Sequence, residues 1–258
     1  MSAPKNVNAP STPLFSIVTV TFNSENTLRR TVMSLIDQTE KDFEYIIIDG
    51  KSNDNTINII KSYEKVFFDK GIKFYHKSEP DKGIYDAMNK AIKLCKGRYI
   101  AFINSDDWYE LNTLEIIKSY ISNSPVDLYH GKLNLYDQKA NYLQTISPKG
   151  ESVVSRKMPF FHPTCFISKR VYDKLNGFNL NYKICADYEF IIRLLSLNVK
   201  TEYINKPLAN FTKGGVSTTK IKEALEESHQ IRIDRGFSPF KSKLFYFAER
   251  FICKLKYS

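Results

Sequence analysis

The chain of 258 residues is 42% apolar and 14% aromatic, enough to bury the core of one α/β domain with a small appendage, which excludes disorder or low complexity for the whole. Its 38 Lys and Arg against 28 Asp and Glu leave a formal net charge of +10, which calls for an anionic partner: nucleic acid, a phosphorylated small molecule or an acidic membrane surface. Cys95, Cys165, Cys185 and Cys253 lie far apart with no C-x-x-C pair, so neither a zinc site nor a disulfide framework is expected, and a reducing cytoplasmic setting fits.

Residues 1–13 hold no apolar block and read as a flexible tail, not a secretory signal, and no apolar run is long enough to span a bilayer. From residue 14 two periods alternate. Segments 15–21 (FSIVTVT), 43–49 (FEYIIID), 72–76 and 98–104 (RYIAFIN) are short and rich in β-branched and aromatic residues, as buried strands are. Between them Leu28, Val32, Leu35 and Ile36, then Ile57, Ile60 and Tyr63, then Ile84, Met88, Ala91, Ile92 and Cys95 recur at helical spacing. The order implies a mostly parallel sheet with helices on both faces, whose ligands bind beyond the carboxyl ends of the strands. Four strands in succession deliver polar, acid-rich loops to that edge.

After residue 107 the pattern changes. A helix over 111–121 precedes an antiparallel pair, 127–136 and 142–146, then a strand within 162–168 and a helix over 187–197. No Pro, Gly or Ser-rich linker separates the halves, so 14–107 and 108–217 read as two halves of one domain, 14–217. The remainder, 218–258, is a helical extension. In it Leu244, Phe247, Ala248, Phe251, Ile252 and Leu255 share one face of a helix and Lys243, Glu249, Arg250, Lys254 and Lys256 the other, a basic amphipathic pattern.

The densest chemical signal is Asn104-Ser105-Asp106-Asp107, two adjacent carboxylates after an apolar strand. Their repulsion is offset either by solvent, with Asp107 capping the next helix, or by a divalent cation completed by substrate phosphates. In Asp49-Gly50-Lys51-Ser52-Asn53-Asp54, capping accounts for Ser52 or Asp54 but not for Asp49, whose carboxylate suits a nucleobase or ribose. In Glu79-Pro80-Asp81-Lys82-Gly83, Gly83 lets a ligand approach the positive end of a helix, where pyrophosphate is favoured.

Taken together, Thr19-Val20-Thr21-Phe22-Asn23 with Glu25, the D-G-x-S-x-D-x-T element over 49–56, E-P-D-K-G-I-Y-D-A-M-N-K over 79–90 and N-S-D-D over 104–107 resemble the ordered motifs of glycosyltransferase family 2. The resemblance covers residues 14–217. It implies a Rossmann-like A-type glycosyltransferase fold and an inverting transferase that uses a nucleotide-sugar donor. By that resemblance Thr21, Phe22, Asn23, Glu25, Asp49, Ser52, Asp81, Lys82, Asn104, Ser105 and Asp106 line the donor site, with Asp49 on the base, typically uracil. Asp106 and Asp107 hold Mn²⁺ or Mg²⁺. Many family members have Asp where this chain has Asn104.

The resemblance also assigns Asp187, in Cys185-Ala186-Asp187-Tyr188-Glu189, as the base that deprotonates the acceptor hydroxyl. It places His162 beside the acceptor, and Lys213 and Ser217 on a loop closing over the diphosphate. Taken alone, each has a plainer reading: a first-turn helix Asp, a structural His, a glycine turn. The Q-x-x-R-W motif of processive synthases is missing, so a single addition to a saccharide or lipid-diphosphate-linked acceptor in surface polysaccharide assembly is expected. The C-terminal helix suits peripheral binding to the inner face of the cell membrane, or packing on the domain or on a second subunit of a homo-oligomer. A nucleic-acid-binding protein fits the charge but not the acidic loops, so no nucleic acid is expected. A silent nucleotide-sugar-binding module conflicts with an intact Asp106, Asp107 and Asp187.

Overall fold

The computed structural model describes residues 12–214 and 220–257, with side chains through residue 251. Strands β1 (Phe15–Thr21) and β2 (Phe43–Asp49) are buried along their whole length, as apolar runs between two helical layers must be. They pair in parallel with Phe15 opposite Phe43 and Thr21 opposite Asp49, so both strands end at one level. Strand β3 (Lys73–Ser78) adds to β2 and β4 (Tyr99–Phe102) adds to β1, again in parallel. The connections are α1 (Leu28–Ile36), α2 (Thr56–Ser62), α3 (Glu64–Asp69) and α4 (Ile84–Leu94).

The second half supplies β5 (Trp108–Tyr109), α5 (Thr113–Asn123), β6 (Leu128–Tyr136), β7 (Tyr142–Ile146), β8 (Phe166–Ser168), α6 (Lys169–Leu175), α7 (Ala186–Leu195) and β9 (Thr201–Thr212). Helices α8 (Ile221–Asp234) and α9 (Pro239–Tyr257) follow. One sheet runs β3-β2-β1-β4-β8-β6-β9-β5, with β7 on β6. It is parallel through β4 and mixed beyond, because β8 pairs antiparallel with both β4 and β6. Adjacent residues of each strand point to opposite faces, which divides the core in two. Ile17, Tyr45, Ala101 and Phe166 pack under α1, α3 and α5, and Val18, Ile46, Ile100 and Ile167 under α4, α6 and α7.

The first two expected strands coincide with β1 and β2, and the expected pair over 127–136 and 142–146 is the antiparallel β6–β7 hairpin. The strand expected within 162–168 is shorter. Pro163 lacks the donor a ladder needs, and a 3-10 turn, His162–Thr164, precedes β8. The long β9 has no counterpart in the sequence reading. Polar residues and Pro207 interrupt its pattern, and its pairing with β6 slips register around Lys132.

The C-terminal helix packs by a face other than its apolar stripe. Ser242, 1% exposed, receives a hydrogen bond from Arg232 Nε at 2.9 Å, the Tyr246 ring meets His229, and Glu249 lies 3.9 Å from Arg232 Nη1. Phe240, Leu244, Phe247 and Phe251 stay 53–79% exposed.

Candidate active site

Three strand-end loops lock together through side chains that serve as local turn partners. Asn23 adopts a positive φ of 50°, which Asn tolerates, and its side-chain Oδ1 accepts the Asn53 N–H at 3.0 Å. The N–H groups of Asn23, Ser24 and Glu25 donate to Ser52 Oγ (2.8 Å), Thr56 Oγ1 (2.8 Å) and Asp54 Oδ2 (3.1 Å), and Glu25 Oε2 accepts the Asn55 N–H at 2.9 Å. The β1 loop is thereby fastened to the β2 loop.

Asp49 sits beneath them, fully buried. Its Oδ1 accepts from Ser52 Oγ at 2.5 Å, and its Oδ2 accepts from the Ser52 N–H at 2.9 Å and Ser78 Oγ at 2.6 Å. A buried carboxylate needs such partners, and it finds them in its own chain. In this geometry the Asp49 side chain shapes the β2 and β3 loops. A Cβ added at Gly50 would stand 2.5 Å from Asp81 Oδ2 and 3.5 Å from the Phe22 ring, so glycine there lets the third loop close on the first two. Phe22 is 61% exposed at this rim and Lys82 is exposed beside it. Asp81 Oδ1 accepts the Gly83 N–H at 2.8 Å, and Asp86 accepts the Lys82 N–H at 3.0 Å, closing the first turn of α4.

The acidic turn is joined to the same rim, because Ser105 Oγ lies 2.8 Å from Ser24 Oγ. Asp106 is half-buried and Asp107 is fully buried. Burial pushes the Asp106 carboxyl above its usual range, and pushes Asp107 well above it with the Asp106 charge adding. Asp107 Oδ1 accepts the Thr212 N–H at 3.2 Å, whereas Asp107 Oδ2 and the nearby Asn104 Oδ1 are buried with no hydrogen-bond partner among the described residues. Arg30 of α1 lies 3.6 Å from the centre of the Trp108 ring and donates to the Asp106 carbonyl (2.9 Å) and Thr212 Oγ1 (2.8 Å). A cation thus backs the acidic turn. Lys213 follows Thr212 and is exposed, its N–H bonded to the Tyr136 carbonyl at 2.9 Å; Ser217 lies outside the described residues.

Asp187, in the first turn of α7, meets the first turn of α4. Its Oδ1 lies 3.0 Å from the Tyr85 hydroxyl and 2.9 Å from the Tyr188 nitrogen, and the same hydroxyl donates to the Ile184 carbonyl at 2.7 Å. Burial first, then the charges of Asp187 and Cys185, push Tyr85 well above its ordinary value, so it stays a donor. His162 stacks on Phe102, with ring centres 5.6 Å apart; burial lowers its pKa while the Asp187 charge opposes the shift. The loop before Asp187 is held from the C-terminal extension. Glu227 of α8 accepts the N–H groups of Lys183, Ile184 and Cys185 at 2.7, 2.8 and 2.9 Å, capping α7. A second tie pairs Arg235 with the fully buried Glu189 at 2.6 Å.

The motif over 79–90 therefore joins the rim residues Lys82 and Gly83 to Asp187 through one residue, Tyr85. The family model described as glycosyl transferase family 2 matches residues 16–176. The chain belongs to that family. A PGL/p-HBAD biosynthesis glycosyltransferase of Mycobacterium bovis BCG is 29% identical over 222 residues, covering 83% of either chain. An uncharacterized glycosyltransferase of Methanocaldococcus jannaschii is 30% identical over 208 residues, 77% of this chain and 70% of its own. Among solved structures, S. aureus TarS 1-349 in complex with UDP-GlcNAc gives a TM-score of 0.67 at 18% identity, over 90% of this chain and 70% of that one. A Pyrobaculum calidifontis mannosyltransferase in complex with GDP-Man and Mn²⁺ gives 0.67 at 13%, over 93% and 70%. These two show the glycosyltransferase A-type fold.

In this glycosyltransferase, Tyr85, Arg30 and Glu227 stand at the site without having been singled out from the sequence. Tyr85 lies inside the motif over 79–90, where nothing marks it apart from its neighbours. Arg30 has no signal separating it from Arg29. Glu227 lies beyond the family match, in an extension whose sequence shows only helical character.

Proposed function

We propose that the chain transfers a single sugar, with inversion, from a UDP-linked donor to a saccharide or lipid-linked acceptor in the assembly of a cell-surface glycan. The observation that carries the reading is the Tyr85 hydroxyl, which joins Asp187 to the helix turn bearing Lys82 and Gly83. A base and a diphosphate-binding helix terminus are thereby neighbours, as an in-line displacement requires. Both polar contacts of Asp187 meet Oδ1, which leaves Oδ2 for the acceptor hydroxyl. Such a base contributes about 10²- to 10⁴-fold. Phe22 stacks on the nucleobase, and Lys82 and Lys213 meet phosphate charge from either side of the cleft.

Asp106 and Asp107 fit a divalent cation. Among the described residues no three acidic, His or Cys side chains converge, but Mg²⁺ and Mn²⁺ sites of this kind use one or two carboxylates and take further ligands from phosphate. The unpartnered Asp107 Oδ2 and Asn104 Oδ1 are oxygens that such an ion satisfies. When bound, it supplies Lewis-acid stabilisation of the departing diphosphate. The neighbour bearing GDP-Man and Mn²⁺ supports metal use, and the UDP-GlcNAc complex supports a uridine donor.

A peripheral membrane role rests on α9. Among the described residues its apolar Leu244, Phe247 and Phe251 stay exposed while Ser242, Tyr246 and Glu249 do the packing, and Lys241, Lys243 and Arg250 flank the stripe. No helix among the described residues is long and apolar enough to cross a membrane.

Calorimetry with UDP, GDP, ADP and CDP, with and without Mn²⁺, tests the donor site. Metal-dependent UDP binding that vanishes in Asp106→Ala is expected; equal binding of all four nucleotides rejects the reading. For the membrane role, Phe247→Ser with Phe251→Ser should release the protein from anionic liposomes, and undiminished binding rejects it.

A further inference from the structure

A second concavity lies on the same sheet face as Asp187. About 510 Å³ in volume, it is lined among others by His130, Lys149, Glu151, Phe160, Thr201 and Tyr203. His130 of β6 and Tyr203 of β9 are partners in the ladder, with ring centres 5.5 Å apart, and Phe160 covers His130 at 4.1 Å. Tyr203 is 41% exposed, an accessible aromatic surface. Glu151 accepts from Thr201 Oγ1 at 2.5 Å, which ties the 3-10 turn Glu151–Val153 to the start of β9.

Two features of this wall point to a ligand. His130 is 4% exposed, and its Nδ1 is buried with no hydrogen-bond partner among the described residues, an arrangement that ordinarily costs free energy. Burial lowers its pKa to about 4, so at neutral pH the ring is uncharged, with one nitrogen a donor and the other an acceptor. The charged groups are mixed, Lys149 against Glu151, which does not select for an anion. Aromatic faces, a neutral imidazole, a hydroxyl and one charge of each sign match an uncharged polyol ring with one apolar face.

The cavity is also linked along the chain to the proposed base. Phe160 faces His130, while His162, two residues on, stacks on Phe102 at the end of β4, in the electrostatic range of Asp187. Two residues span at most about 7 Å, so segment 160–162 forms a partition between cavity and base that a short oligosaccharide can straddle.

We propose that this cavity is a second saccharide site, holding a sugar ring of the acceptor remote from the one that receives the transferred sugar. It rests on the transferase reading above, and it adds that affinity for the acceptor is set in part away from the base. Tyr203 supplies the stacking face and His130 the hydrogen-bonding edge.

The test is saturation-transfer NMR on the full chain with a panel of methyl glycosides: a hexose, a 6-deoxyhexose and an N-acetylhexosamine. Tyr203→Ala, at an exposed position, and His130→Phe, which keeps an aromatic ring, should each reduce the signal of the binding glycoside by about fivefold. UDP affinity should be unchanged in both. Asp106→Asn should keep the glycoside signal while losing metal-dependent UDP binding, so failure of the donor reading and failure of this site register separately. Silence from every glycoside overturns the proposal, as does a signal that neither Tyr203→Ala nor His130→Phe reduces.

Discussion

The two sides of the cleft are built by different means. On the proposed donor side the loops after β1, β2 and β3 hold one another through side-chain bonds to backbone and to other side chains, Asn23 to Ser52, Glu25 to Asp54, Ser52 and Ser78 to Asp49. On the acceptor side Asp187 owes its place to a tyrosine 102 residues earlier in the chain, and its loop to a glutamate 42–44 residues later. The first side is shaped by short motifs that serve as one another's hydrogen-bonding partners across 29–32 residues of chain. The second exists only after β9 and α8 have brought remote segments together. A site of the first kind is recognisable by motif, whereas one of the second kind takes its geometry from segments that no motif links.

The sharpest way to break this division is at the proposed base. Asp187→Asn should lower transfer by about 10²- to 10⁴-fold and leave UDP affinity unchanged, read by initial rates and calorimetry. A parallel loss of UDP affinity would show that the sides are not separable. The reverse experiment is Asp49→Ala, which strips the acceptor from two serine hydroxyls and one N–H in a buried place. It should cost about 3 kcal/mol in urea unfolding and weaken UDP binding, with exchange protection of the 183–185 amides undisturbed.

Glu227→Ala probes the acceptor side from its far support. Loss of three N–H partners should destabilise the fold by about 2 kcal/mol, speed amide exchange at 183–185 and lower the turnover rate at constant donor KM. Glu227→Gln, which retains one acceptor oxygen, should recover part of each. A fall in donor affinity instead would place Glu227 on the other side of the comparison.

The smallest effect is a slope. His130 has a folded pKa of about 4 against an ordinary value of 6.5, so between those values the unfolded chain binds a proton that the native chain does not. Stability from this residue is complete above pH 6.5 and falls as the pH drops toward 4, by up to about 1.4 kcal/mol per pH unit. His130→Phe should flatten the urea stability profile in that window; an unaltered slope would mean that the imidazole is not held neutral.

By itself the sequence determined the parallel first half of the sheet and the composition of its rim. Short continuous apolar runs bounded by Gly, Asn and Asp leave little choice of element, and residues directly after a buried strand must emerge at its carboxyl end. That places Asn23, Ser52, Asp81 and Asp106 at one edge. Their individual duties were not legible in the same way. Asp49 turned inward because Ser52 and Ser78 offered it donors, and whether a carboxylate faces ligand or chain depends on which partner is nearer in space. Tertiary structure alone decided that Tyr85 and Glu227 hold Asp187, that Arg30 backs the acidic turn, and that α9 packs by its polar face. Each is a contact between segments far apart in sequence, and neither periodicity nor spacing encodes which distant residue will fill a given position.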